Sequence, residues 1–238
     1  LVLMVDCGST SKSIVDYAQK LKIDVIIIDH HKTDENLPIN CPLINPNSLK
    51  DKSEFNYLCA TGLTFIYIYF LYKMLLEKKL IQNNEIDLLN CLDLVALATV
   101  CDVVPLVKLN RAFVKQGLKV LSKRSNLGLK ILADEFNLEK KPDEEDLGFF
   151  FGPRLNAGGR VGKADIGEEL LHTEDIDKAE KLSQQLNTFN YQRKLIEDSV
   201  YEEANIILKS KKLHELNSLV LENDNWHQGV LGIVASRL

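Results

Sequence analysis

The chain has 238 residues, 45% hydrophobic and 26% charged, which suits one large or two small domains with a buried core. That balance excludes a disordered tail, a collagen-like fibre and a disulfide miniprotein. Against 34 acidic residues stand 29 Lys and Arg, a net charge of −5, so nucleic acid could be held only in a local groove and not by bulk charge.

The five cysteines are odd in number and lack a CxxC spacing, which points to a reducing, cytoplasmic setting and away from a thiolate zinc site. The uncharged stretch Asn56–Tyr72 falls short of the ~20 apolar residues of a membrane span and reads as a buried helix. The chain opens inside an apolar run, Leu1–Val5, and closes inside another at Leu238, as a fragment cut at both ends would.

Leu1–Val5 and Asp24–Ile28 have the composition of buried strands. Between them Ser9–Ser13 supplies helix-start residues, and Ile14, Ala18 and Leu21 recur at helical spacing. Strand, helix and strand in about thirty residues predict a βαβ unit and a parallel sheet. Residues 36–56 read as a loop, followed by helices over about 60–77, 86–99 and 110–122. The charged Glu139–Asp146 reads as a surface connection and 152–160 as a Gly-rich turn. Over about 177–212, Ala179, Leu182, Leu186, Phe189, Ile196, Val200, Ala204 and Ile207 step by three, four or seven. A helix of that length spans roughly 50 Å, enough to be a strut between two domains. Leu216–Leu221 reads as a strand and Gly229–Leu238 as the start of a helix. The aromatics Phe65, Tyr67, Tyr69, Phe70 and Tyr72 crowd one apolar helix, which predicts core packing. His172 and His214 lie among surface charges and carry no expected role.

In a parallel sheet, ligands collect beyond the carboxyl ends of the strands. Asp6 follows the first strand and Asp29-His30-His31 the second, so both reach one edge. Asp6 alone would serve equally as a helix cap. Imidazole and carboxylate together suit Mn²⁺, or Mg²⁺ if oxygens dominate. Asp102, inside an otherwise apolar run, must be paired, hydrogen-bonded or bound to a metal. Arg154, Asn156 and Arg160 fall in a Gly-rich segment free of acidic residues, where guanidinium forks could hold phosphate. His227, Gly229, Ser236 and Arg237 surround the last helix, whose start favours an anion.

VDCG (5–8), IDHH (28–31) and ATVCDVVPL (98–106) resemble the ordered motifs of the DHH phosphoesterases. GPRLNAGGR (152–160) and WHQGVLGIVASRL (226–238) are similar to motifs of the bacterial RecJ branch, single-strand exonucleases. The resemblance implies an α/β fold: a parallel-sheet DHH domain at 1–135, a connecting region with the long helix at 136–212, and the start of a DHH-associated nucleic-acid-binding domain at 213–238. It implies a metal-dependent 5′→3′ exonuclease on single-stranded DNA, acting in repair and recombination, with two Mn²⁺ or Mg²⁺ ions in the complete protein. Asp6, His30 and Asp102 would be metal ligands. His31, Asp29, Arg154 and Arg160 would serve catalysis. Arg154, Asn156, Arg160, His227, Gly229, Ser236 and Arg237 would touch nucleic acid. Implied partners are single-stranded DNA, a single-strand-binding protein and a helicase, with no membrane.

The sequence also departs from the pattern. No Asp-Tyr-Asp-Ala-Asp-Gly motif precedes Leu1, so this chain by itself is expected to be nearly inactive. Cys7 stands where the branch has Asn, Gly159 or its neighbour where it has Ala, and Asn225 where Gly is common. The alternatives are a DHH phosphodiesterase acting on short oligonucleotides or cyclic dinucleotides, or a non-catalytic RecJ-like scaffold that binds DNA.

Overall fold

The computed structural model describes residues 1–33, 41–82, 87–209 and 218–238. These residues cluster into two units, Leu1–Ser125 with Lys140–Gly148, and Asn126–Glu139 with Phe149–Leu238.

The first unit is built on strands β1 (Val2–Val5), β2 (Val25–Ile28) and β3 (Leu43–Ile44), parallel and in that order. Helix α1 (Lys12–Lys20) makes the crossover from β1 to β2, as the apolar spacing predicts. Val15 packs with Val25 and Ile27 on one face of the sheet. On the other, Ile28 packs with Leu58 and Leu63 beneath helix α2 (Ala60–Glu77). Helix α3 (Leu92–Cys101) follows a 3₁₀ turn at Leu88–Cys91 and packs on α4 (Lys108–Leu121). The predicted start of α3, Ile86, lies outside the described residues.

Three expectations for this unit are corrected. β1 is not buried: it is an edge strand, and Val2 and Leu3 are each 44% exposed. On α1 the inward residue is Val15, while Ile14 and Leu21 face solvent. The aromatic run of α2 is only partly covered: Phe65 meets Phe113 edge to face, but Phe70 is 63% exposed. Phe55, Phe65, Ile66, Tyr69 and Phe70 line an apolar groove of about 840 Å³ instead of filling a core.

The second unit gathers around α9 (Ile176–Lys209), 34 residues long. Packed on it are α5 (Leu127–Glu135), α6 (Gly152–Leu155), α7 (Ala157–Val161), α8 (Asp165–His172) and α10 (Gln228–Arg237). The helix expected as a strut falls, over its described residues, in this unit. Its end at 210–212, and His214, lie outside the described residues. The GPRLNAGGR segment is not a turn: a stretch of π-helix (Asp146–Phe151) leads into α6 and α7. Pro153 follows the π-helical stretch closely and, lacking an N–H, donates no bond back to it. Of the predicted strand Leu216–Leu221, residues 218–221 make no ladder among the described residues, for want of a partner strand, and 216–217 lie outside them. Among the described residues no helix is long and apolar enough to cross a membrane.

Candidate metal centre

Register builds the site. Val5 pairs with Ile28, and Ile28 with Ile44, so the next residues along each strand, Asp6, Asp29 and Asn45, emerge side by side. The ladder continues one step, with Asp6 N–H donating to Ile28 O and Asp29 N–H to Ile44 O, both at 2.9 Å. Asp6 then turns through left-handed backbone (φ 62°), which Asp tolerates better than most residues. Gly8 (φ 109°) completes the reversal, and Ser9 N–H donates to Asp29 Oδ2 at 3.0 Å.

His30 Nε2 lies 3.2 Å from Asp6 Oδ1 and 3.4 Å from Asp102 Oδ2. The His30 side chain is largely enclosed, while Asp6 and Asp102 are open to solvent. Asp102 comes from the C-terminal end of α3, and Val103 after it is held at φ 55° with its side chain 87% exposed. A β-branched residue in that region stores strain of about 1–3 kcal/mol. Both carboxylates are thus carried on sharply turned backbone.

Asp29 is buried and does not reach the cluster as a ligand. Its Oδ1 accepts from His30 N–H (2.8 Å) and His31 N–H (3.2 Å) and meets His31 Nδ1 at 2.7 Å. Burial by itself would raise this carboxyl, but hydrogen bonds from His31 and Ser9 outweigh it and hold it at about 2. An ionised acceptor fixes the Nδ1–H form of His31 and leaves Nε2 to the exposed side. The same hydrogen bond raises the His31 pKa.

Asp6, His30 and His31 offer ligand atoms all within 4.8 Å of one another. Partial desolvation raises the Asp102 carboxyl, His30 opposes the rise and the negative charge of Asp6 adds to it. Two carboxylates in mutual repulsion around one imidazole are a donor set that a divalent cation would relieve, so the residues fit the expected metal.

The residues expected to touch nucleic acid lie in the second unit, and several are already engaged. The Arg154 guanidinium lies against Phe136 (4.1 Å) and Phe150 (4.2 Å), two rings that meet edge to face. Its Nε donates to Asn187 Oδ1 and its Nη1 to Phe150 O. Arg154 is therefore packed inside the unit rather than presented as an open fork. Asn156 is exposed between α6 and α7. Arg160 is exposed, with Nη1 donating to Gly229 O at 3.0 Å. A Cβ on Gly229 would stand 2.3 Å from Arg160 O, so only glycine permits this approach of α10 to α7. His227 caps α10, its Nδ1 accepting from Gly229 N–H. Ser236 turns back to Ile233 O on its own helix. Arg237 pairs with Glu197 and Asp198 and lies 4.3 Å over the Tyr201 ring.

Residues 1–99 match the DHH family, N-terminal domain. Over that stretch the chain resembles a DHH domain. Asp6, Asp29, His30 and His31 fall inside the matched span, and Asp102 three residues beyond it. Over its full length the chain is 36% identical to the single-stranded-DNA-specific exonuclease RecJ of Salmonella typhimurium. It spans 43% of that protein. A solved structure of exonuclease RecJ bound to manganese matches with TM-score 0.83 and 30% identity, over 99% of this chain and 57% of its own. RecJ from Thermus thermophilus in complex with Mn²⁺ matches with TM-score 0.82 and 30% identity, over 99% of this chain and 34% of its own.

Around the DHH motif the structure adds residues that sequence reasoning missed: Ser9, Asn45 and Asn47, whose side chains bond to one another or to the motif backbone. Their signal was slight, an Asn-Pro-Asn directly after the apolar pair Leu43–Ile44 in a segment read as loop.

Proposed function

We propose that the chain is the DHH-containing part of a metal-dependent exonuclease that degrades single-stranded DNA from 5′ to 3′ by phosphodiester hydrolysis, in DNA repair and recombination. One observation carries the reading: His30 stands between Asp6 and Asp102 at the carboxyl edge of a parallel sheet. The likeness to RecJ exonucleases along the whole chain supports the same substrate.

Asp6, His30 and Asp102 would hold Mn²⁺ or Mg²⁺, the neutral imidazole supplying nitrogen and the carboxylates offsetting charge. When bound, a metal pair activates water and stabilises the attacking and leaving oxygens of a phosphodiester. His31, its Nδ1 held by Asp29 and its pKa raised by that contact, presents Nε2 toward the substrate phosphate. Asp29 orients both histidines and touches no substrate. In the second unit Arg160, Asn156 and His227 form the exposed polar surface for the strand. Arg154, Gly229, Ser236 and Arg237 shape that surface from within.

Residues 1–135 then form the DHH domain, 136–212 the connecting region and 213–238 part of a DHH-associated domain. A single-strand-binding protein and a helicase belong to the same reading as recruiting partners, in the cytoplasm. The test is an end-label assay with the full-length protein and Mn²⁺. Label at the 5′ end of single-stranded DNA should be released at once as mononucleotide, while 3′-labelled strands shorten progressively and blunt duplex persists. Release from the 3′ end first, or attack on duplex, would contradict the assignment.

A further inference from the structure

β3 is only two residues long, yet its register delivers Asn45 to the same edge as Asp29. Asn45 is 3% exposed and uses its whole amide. Its Nδ2 donates to Ser9 Oγ at 2.7 Å and to His31 O at 2.9 Å, and its Oδ1 accepts from Asn47 N–H at 2.8 Å. Asn47 Nδ2 in turn donates to His30 O at 2.6 Å. The N–H groups of the same two histidines both point at Asp29 Oδ1. Every main-chain polar group of His30 and His31 thus has a side-chain partner, from Asp29 on one side and from two asparagines on the other.

Loop backbone at a sheet edge ordinarily bonds to water and moves with it. Fixing all four groups sets the direction of each Cα–Cβ bond, and so where the rings can stand. The chemistry also requires amides. Two donors and one acceptor on a single short side chain are available from Asn, whereas Asp would set an acceptor against the His31 carbonyl.

We propose that Asn45 and Asn47 are positioning residues of the hydrolytic site, clamping the carbonyls of His31 and His30 so that the rings meet Asp6, Asp102 and the phosphate. The proposal rests on the metal-site reading above, but its geometry is a property of the protein without metal. Sites of this kind tolerate only about 0.5 Å or 10–20° of error, and loss of such supporting contacts typically weakens metal binding by about 10–100-fold.

The experiment compares wild type, Asn45→Ala, Asn47→Ala and Asn47→Asp. Val15→Ala is the control, a core cavity that removes none of the clamp's hydrogen bonds but lowers thermal stability. Imidazole signals of His30 and His31 are read by NMR without metal, and Mn²⁺ affinity by titration. Both alanine variants should shift the histidine ring signals and weaken Mn²⁺ binding by about tenfold or more, and Asn47→Asp should match Asn47→Ala. The control should lose melting temperature while keeping ring signals and affinity. Unchanged ring signals in Asn47→Ala, or an equal loss of affinity in Val15→Ala, would overturn the clamp. Should Asn45→Ala fail to fold, the half-buried Asn47 carries the comparison. If wild type binds no Mn²⁺, the metal-site reading fails while the ring signals still decide the clamp.

Discussion

Nδ1 of His31 stands 2.7 Å from Oδ1 of Asp29, a buried carboxylate. The same oxygen takes both histidine N–H groups, so one side chain sets ring tautomer and loop backbone together. Asp29→Asn preserves shape but offers a neutral acceptor. Steady-state kinetics of the full-length enzyme should show kcat lowered about 10–100-fold with little change in DNA affinity. A loss confined to DNA affinity would show that Asp29 acts elsewhere.

Arg154 and Arg160 should separate cleanly, although both sit in one nine-residue motif. Arg154 packs against two phenylalanine rings, so Arg154→Ala should lower stability by about 2 kcal/mol. Lysine should not restore it, because a compact ammonium cannot stack as the planar fork does. Arg160→Ala should leave stability nearly unchanged and reduce the salt dependence of DNA binding by about one unit of slope. Denaturant melts and binding isotherms at several salt concentrations read the two effects; an exchange of phenotypes would refute the placement.

The edge of the sheet was legible because two apolar runs end on Asp6 and Asp29, and parallel pairing brings such ends together. Asp102 was legible as a carboxylate in an apolar run. The clamp was not, since β3 is too short to read as a strand in an Asn- and Pro-rich segment. The packing of Arg154 was not either: Phe136 lies 18 positions upstream and only the fold brings its ring to the guanidinium. In α9 the apolar steps of seven conceal a polar layer, because the buried residues between Leu186 and Val200 are Asn190, Arg193 and Glu197. Spacing marks a face without saying whether that face is apolar.

That polar layer gives the next prediction. Glu197 accepts from Arg193 Nη1 at 2.6 Å and from Arg237 Nη1 at 2.7 Å, tying α9 to α10. Removing it leaves the Arg193 guanidinium buried without its counter-charge, so Glu197→Ala should cost about 3–5 kcal/mol in urea unfolding. A change below about 1 kcal/mol, the scale of an exposed pair, would mean that water reaches the layer.

Asp93, in the first turn of α3, is 2% exposed, and burial raises its pKa although the Leu94 N–H opposes the rise. The folded chain therefore holds this proton more tightly than the unfolded chain. Its contribution to stability is present in acid and is lost as pH rises from the unfolded pKa through the folded one. Asp93→Asn removes that loss, so its melting temperature should gain on wild type more at about pH 7 than at about pH 4. Equal differences at both would show that the carboxyl is not desolvated.

The central proposal is that Asp6, His30 and Asp102 would hold the ion that supports DNA hydrolysis. Digestion of 5′-phosphorylated single-stranded DNA at saturating Mn²⁺ tests it most directly, comparing the full-length protein with its His30→Ala and Asp102→Ala variants. Both substitutions should abolish digestion and weaken Mn²⁺ binding, while Arg160→Ala keeps its affinity for the metal. Activity of either variant within about tenfold of wild type, a loss of less than about 1.4 kcal/mol in the barrier, would contradict the account.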